Sequence, residues 1–189
     1  LERITIDGTL VDSKGTSPVT VTLELPNKAR IDVAGTSARS IGFNGLQGSA
    51  AGSSVTEQDE DILETLLEDS AEGMFNAVSK NASLRVIATY SRMDDGTPTG
   101  RNVDIFQVVG PIQSRTVKPV RNKHYYFDSV THELLEVDYM APRSDGSTAA
   151  VRVELSNWNK VGGQAVPGII TRIENGQPRF TLNISGASF

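Results

Sequence analysis

The chain has 189 residues, a formal net charge of −5 and no cysteine. This length fits a single domain with a buried core of its own, and the missing cysteines exclude disulfides and thiolate metal sites. The acidic balance argues against a nucleic-acid partner, which needs a basic face, and no apolar stretch approaches the roughly 18 residues of a membrane-spanning helix.

The first third of the chain alternates apolar and polar residues with the period of two that half-buried β-strands show. Ile4, Ile6 and Leu10 share one face of the first predicted strand, and a turn at residues 12–15 joins it to a second strand as a hairpin. Asn44-Gly45 predicts a further tight turn. The strands predicted in this part cover residues 3–10, 19–25, 29–33, 39–43 and 46–51.

Apolar residues change to helical spacing between residues 56 and 80, which predicts two short amphipathic helices, 56–69 and 71–80. Thr56 and Asp59 have the spacing of a capping box, and Ser70 resembles an N-cap for the second helix. Isolated helices under about 15 residues are marginal in water, so each is expected to lie on an apolar surface. The apolar residues of the two helices are Ile62, Leu63, Leu66, Leu67, Met74, Phe75, Ala77 and Val78.

The second half of the chain returns to strand alternation, interrupted by turns rich in Gly, Pro, Asp and Asn. A loop is predicted at residues 93–101, a turn at 128–131, and a final hairpin turn at Asn175-Gly176. The predicted strands cover residues 84–90, 103–109, 123–127, 135–139, 149–155, 168–174 and 179–186.

These elements predict a mainly β protein of the α+β class with about ten strands, most of which have one polar face. We expect one domain over residues 1–189, built as a single strongly curved antiparallel sheet or incomplete β-barrel. The helical insertion at about 56–80 would form a two-helix lid on the concave face. The alternative is a sandwich of two sheets with the helices outside.

The two histidines, His124 and His132, flank one predicted hairpin. A metal site would need a third ligand, which Asp128, Glu133 or Glu136 could supply. No metal-ligand spacing is recognisable around them, so we interpret both as surface histidines and expect no metal or cofactor.

Seven acidic residues crowd the first helix and its end, and we interpret them as a solvated helix face because they lack the loop pattern of a calcium site. They are Glu57, Asp59, Glu60, Asp61, Glu64, Glu68 and Asp69. No phosphate-binding glycine loop and no nucleophile elbow occurs in the sequence. We therefore expect a protein without enzymatic activity, although paired carboxylates that meet only in the fold stay an alternative.

One stretch of sequence resembles a known family. Leu25-Pro26-Asn27-Lys28-Ala29-Arg30 is followed by Ile41-Gly42-Phe43-Asn44-Gly45, and later segments at 125–128, 134–137 and 151–158 keep the same order. This order resembles the LolA/LolB lipoprotein carriers and their relatives over nearly the whole chain. The chain departs from the carriers at Leu25, where they have a basic residue that helps to hold the lid. The helix that the carriers have ahead of the first strand is either absent here or lies upstream of Leu1.

The resemblance implies a LolA-like half-barrel that is capped by helices and encloses an apolar cavity for acyl chains. It also implies a bacterial periplasmic or lipid-anchored protein, and because the chain starts at Leu1 we expect a signal sequence that has been removed. The apolar positions predicted to line the cavity are Ile4, Ile6, Val21, Leu23, Ile31, Leu63, Leu66, Leu67, Phe75, Ile105, Leu135, Val137, Tyr139, Val151 and Val153.

The leading hypothesis is therefore an envelope protein that holds a lipid, an acyl chain or a lipoprotein under the helical lid. Such a ligand is bound through buried apolar area, which requires no polar sequence motif. The alternative is a module of the same fold with a filled core, which binds a protein partner or senses the state of the envelope. An open pocket favours the carrier, and an exposed apolar patch favours the module.

Overall fold

The computed structural model describes residues 3–24, 28–35, 38–44, 47–50, 55–94, 96–112, 120–143 and 145–189. These residues form 14 strands and two helices. The strands are β1 Arg3–Asp12, β2 Gly15–Glu24, β3 Lys28–Val33, β4 Arg39–Asn44, β5 Gln47–Ala50, β6 Arg85–Met93, β7 Arg101–Ile112, β8 Val120–Asp128, β9 Leu134–Pro142, β10 Thr148–Ser156, β11 Asn159–Val161, β12 Gln164–Val166, β13 Ile169–Glu174 and β14 Gln177–Ser188. The helices are α1 Glu57–Leu67 and α2 Ala71–Lys80.

Twelve strands make one sheet in the order β5-β4-β3-β2-β1-β14-β13-β10-β9-β8-β7-β6. Every neighbouring pair in it is antiparallel, as short hairpin turns require. Strands β5 and β6 lie at its two edges, so the sheet is not closed into a barrel. The predicted single antiparallel sheet is confirmed, while the small β11–β12 hairpin was not predicted.

Both predicted helix starts are confirmed by their caps. The Thr56 hydroxyl accepts a hydrogen bond from the Asp59 amide at 3.3 Å, and the Asp59 carboxylate accepts one from the Thr56 amide at 3.1 Å. The Ser70 hydroxyl accepts a hydrogen bond from the Gly73 amide at 3.0 Å. These bonds satisfy amide groups that have no partner inside the helix, which explains why the helices begin at these residues.

The core lies between the helices and the concave face of the sheet. Ile62, Leu63, Leu66 and Leu67 of α1 and Met74 of α2 share one buried cluster with inward residues of the strands. Burying five such side chains contributes roughly 7–15 kcal/mol as an upper bound. This apolar contact is what keeps two otherwise marginal helices folded.

Three residues predicted to face the core do not join this cluster. Phe75 is 67% exposed, so the prediction that it faces inward is wrong. A β-bulge between Tyr126 and Phe127 leaves Leu135 without a partner on β8, and Leu134 takes the buried position instead. Strand β7 has apolar residues on both faces, so its alternation is ambiguous, and Ile105 is half-buried outside the core cluster.

Candidate binding face inside the curved sheet

Most residues predicted to line an apolar cavity lie together on the concave side. Their side chains form one tightly packed cluster, and each residue is less than 9% exposed except Ile4, which is half-buried against the same cluster. Ligand binding by these residues stays a prediction. The buried ones are Ile6, Val21, Leu23, Ile31, Leu63, Leu66, Leu67, Val137, Tyr139, Val151 and Val153.

Beneath α1 the concave side also holds seven charged side chains, which we call the ionic cluster. Four are acids and three are bases, and the side chains of Asp69, Lys123 and Arg172 are 0% exposed. The helical segment supplies three of the acids, and the sheet with its loops supplies the fourth acid and the three bases. The ionic cluster consists of Asp61, Glu64, Asp69, Lys123, Arg143, Arg172 and Glu174.

Two buried cations connect the helical segment to the sheet. Lys123 Nζ on β8 lies 2.6 Å from Asp69 Oδ1 and 3.9 Å from Glu64 Oε1. Arg172 Nη2 on β13 lies 3.1 Å from Asp61 Oδ1 and 3.2 Å from Glu64 Oε2. Because Glu64 contacts both cations, the pairs form one continuous network.

Neutral groups add further hydrogen bonds to this network. Arg172 donates to the Thr65 hydroxyl at 3.1 Å and to the Tyr139 hydroxyl at 3.2 Å, and the Tyr139 hydroxyl donates to Asp69 Oδ2 at 3.0 Å. Lys123 Nζ also lies 4.2 Å from the centre of the Tyr139 ring. Buried charges persist only when they are paired and hydrogen-bonded in this way.

Burial and charge act on the pKa values in opposite directions here. Burial raises the pKa of Asp69 above its ordinary value, although the nearby Lys123 works against this shift. Burial favours a lower pKa for Lys123, but the surrounding groups Asp69, Tyr125, Glu64 and Glu68 together outweigh it, so the pKa of Lys123 is raised. Lys123 therefore stays charged inside the protein.

The interpretation of the acidic helix residues as a solvated face is wrong for four of them. Asp59, Asp61, Glu64 and Asp69 are each 1% exposed. Asp59 pairs with Arg39 Nε at 2.8 Å, and the other three belong to the ionic cluster. The sequence did contain a signal for these buried ion pairs, because two cations stand at inward positions of alternating strands. Lys123 is two residues before the buried Tyr125, and Arg172 is two residues after the buried Ile170.

The concave side is uncovered at its β6 end. Strand β6 places three residues on this side, each opposite one residue of β7. Val86 pairs with Val108, Ala88 with Phe106 and Tyr90 with Asp104, and the side chains of each pair lie on the same face of the sheet. Val86 is 43% exposed and Tyr90 65% exposed. On β10 the residues of the same face, Val151 and Val153, are at most 2% exposed.

Aromatic side chains continue this surface toward the core. The rings of Phe106 and Phe127 meet edge to face with centroids 5.6 Å apart, and both pack against the core cluster. Helix α2 contacts β7. We call the surface the β6 face and define it by Val86, Ala88, Tyr90, Phe106 and Phe127.

The two histidines lie away from the concave side. His124 Nδ1 is 2.7 Å from Asp138 Oδ1, and His132 is exposed in the turn between β8 and β9. Within the described part of the chain, no group of three or more His, Cys, Asp and Glu side chains could hold a metal ion. No described helix is long and apolar enough to cross a membrane.

No family model and no curated protein matches this sequence. Solved structures do match its fold. A LolA superfamily protein from Nitrosomonas europaea has a TM-score of 0.61 at 10% identity, over 99% of this chain and 84% of its own. An outer membrane lipoprotein-sorting protein domain from Vibrio parahaemolyticus has a TM-score of 0.60 at 12% identity, over 99% of this chain and 85% of its own.

A DUF1329 family protein from Desulfovibrio piger has a TM-score of 0.54 at 10% identity, over 99% of this chain and 85% of its own. At such low identity these likenesses concern the fold. The residues 25–27 of the motif that suggested the family lie outside the described residues. The resemblance to the LolA/LolB carriers is nevertheless confirmed for the architecture, and this chain folds as a LolA-like half-barrel.

Proposed function

We propose that the protein is a non-catalytic carrier-like protein of the bacterial periplasm or cell envelope that binds a lipid or acylated ligand on its concave side. The observation that carries this proposal is the β6 face, an apolar and aromatic surface that continues into the core and stays exposed at one end. The periplasmic assignment is supported by the lipoprotein-sorting protein among the similar structures.

The ionic cluster favours the β6 face over the space beneath α1 as the place of binding. An acyl chain entering beneath α1 would have to separate Lys123 and Arg172 from their carboxylates, which leaves buried charges unpaired at a cost of several kcal/mol. At the β6 face the chain would cover apolar area that is now in water. Each buried methylene contributes about 0.8 kcal/mol.

Two adjacent residues of β6 provide a matched test. Val86 and Ile87 are 43% and 48% exposed and point to opposite faces of the sheet. With a fluorescent fatty acid as the probe, Val86→Asp should weaken binding at least tenfold, because it sets a carboxylate against the acyl chain. Ile87→Asp places the same charge on the other face and should leave binding within about twofold.

Both changes are at exposed positions, so thermal unfolding should show two folded variants. A folded parent protein that takes up no apolar probe would rule out the carrier function. Equal loss of binding in the two variants would exclude the β6 face as the binding surface.

The second candidate function is a protein-interaction or envelope-sensing module of the same fold. The ionic cluster favours it, because buried charged side chains occupy the space beneath α1. Strand β6 also favours it, since this edge strand is exposed on both faces and edge strands readily pair with another chain. Failure of the parent protein to bind the probe would support this candidate.

A further inference from the structure

A groove of 740 Å³ crosses the convex face of the sheet, on the side opposite the core. Its volume falls in the range of about 300–1,000 Å³ that is common for small-ligand sites. Strands β8, β9, β10 and β13 line it, with Glu136, Asp138 and Met140 of β9 alternating with the core residues Val137 and Tyr139. The proposed lipid site does not use this face.

One end of the groove is polar, and its shape is set by hydrogen bonds. The Tyr126 hydroxyl donates to Asp138 Oδ2 at 2.7 Å, and His124 Nδ1 is 2.7 Å from Asp138 Oδ1. Both oxygens of Asp138 are therefore occupied, and the carboxylate is held in one orientation. The Asp138 carboxylate therefore places a negative charge at a fixed position near Glu136.

Glu136 has a different environment. It lies directly opposite Glu154 on β10, and like charges in that position are destabilising. The nearby Arg152 pairs with Glu154 at 3.1 Å, and within the described residues the Glu136 carboxylate has no hydrogen bond or ion pair. Burial, opposed by Arg152 and assisted by Asp138, raises the pKa of Glu136 to about 7. A cation placed here would remove the repulsion.

The other end of the groove is mostly apolar, although Asn122 and Thr148 also line it. Met140 is 55% exposed and stands four residues along β9 from Glu136, which is roughly 13 Å at the usual rise of a strand. Ala150 and Pro142 lie beside it in the lining, and Ile173 lies between the two ends, opposite Arg152. The groove thus offers a carboxylate at one end and a hydrocarbon surface at the other.

We propose that this groove binds an amphipathic organic cation, whose ammonium or guanidinium group pairs with Glu136 while its apolar chain lies against Met140 and Ile173. The ionised lining has two carboxylates and one guanidinium, Arg152, which leaves one net negative charge while His124 is neutral. A ligand with one positive charge balances it, and an anion of the same shape is repelled. The cation can be a free amine or the basic side chain of a peptide.

NMR titration of the whole chain with two probes tests this assignment. The probes are n-octylamine and the peptide acetyl-Leu-Leu-Lys-amide, and their neutral controls are n-octanol and acetyl-Leu-Leu-Gln-amide. At pH about 8, where Glu136 is ionised, the cations should shift the amide signals of His124, Glu136, Met140 and Ala150. Glu136→Gln should weaken this binding at least tenfold, while Glu24→Gln, which removes the same charge from β2, should not.

Tighter binding of octylamine would identify the ligand as a free amine, and tighter binding of the peptide would identify it as a protein side chain. The proposal is overturned if neither cation shifts these signals, if the neutral analogues bind equally well, or if Glu136→Gln binds like the parent. Fatty-acid binding at the β6 face should be unchanged in Glu136→Gln, so the proposals for the two sites can be tested separately.

Discussion

Lys123 Nζ lies 2.6 Å from Asp69 Oδ1, and both side chains are completely shielded from solvent. Asp69 stands between the end of α1 and Ser70, the N-cap of α2, while Lys123 belongs to β8. This ion pair therefore attaches the junction of the two helices to the middle of the curved sheet. We expect it to restrict the position of the helical pair more than apolar contacts alone, because a shifted helix would leave buried charges unpaired.

Lys123→Met should lower the free energy of unfolding by about 3–5 kcal/mol, because the buried carboxylates of Asp69 and Glu64 lose the cation that pairs with them. Urea unfolding of the variant measures this change. Asp69→Asn serves as the second arm of a double-mutant cycle, and the two changes together should cost at least about 1 kcal/mol less than their sum. Strict additivity would show that the pair does not couple.

Leu63 and Phe75 distinguish the packed side of the helices from the exposed side. Leu63 is 0% exposed and Phe75 is 67% exposed. Leu63→Ala should destabilise the protein by about 2–5 kcal/mol, whereas Phe75→Ala should change stability by less than about 0.5 kcal/mol. Thermal or urea unfolding of both variants compares them directly. A large loss in Phe75→Ala would mean that this ring is packed in solution.

Glu136 should make stability depend on pH. Its folded-state pKa of about 7 lies above the ordinary value of 4.5, so the folded protein holds this proton more tightly than the unfolded chain. The resulting stability is fully present below pH 4.5 and is lost as the pH rises through about 7. Glu136→Gln should raise the unfolding free energy at pH 8 by about 1–2 kcal/mol, a value reduced for solvent screening at this half-buried position.

At pH about 4 the same substitution should have little effect, because the carboxyl group of the parent is already protonated. Urea unfolding across this range provides the curve, and an NMR titration of the Glu136 side chain provides its midpoint. A variant that is less stable than the parent at pH 8 would contradict the prediction.

The histidines should contribute little to stability. His124→Ala removes one hydrogen bond from Asp138, which keeps its bond to Tyr126, so the change should stay within about 1 kcal/mol. His132 has a φ of 61°, a conformation that glycine adopts more easily. His132→Gly should therefore be neutral or stabilising by up to about 1 kcal/mol in thermal unfolding, and a clear loss would show that its side chain has a structural partner.

Local sequence determined the elements of this fold. Period-two alternation together with turn signals identified the strands from β1 to β14 in all but the short β11–β12 hairpin, and the capping residues Thr56 and Ser70 located both helix starts. Strand alternation, hairpin turns and helix caps depend on residues within a few positions of one another, and they can be recognised without knowledge of distant contacts. The antiparallel sheet followed from the same hairpins.

Tertiary structure alone decided the chemistry of the interior. Lys123 and Asp69 are 54 residues apart in sequence, and Arg172 and Glu64 are 108 apart, so only the curvature of the sheet brings these charges together. The bulge that leaves Leu135 unpaired depends on the register of two strands, and the exposure of Phe75 depends on how α2 lies on β7. A charge on an amphipathic helix faces water or a buried partner according to what the fold places opposite it.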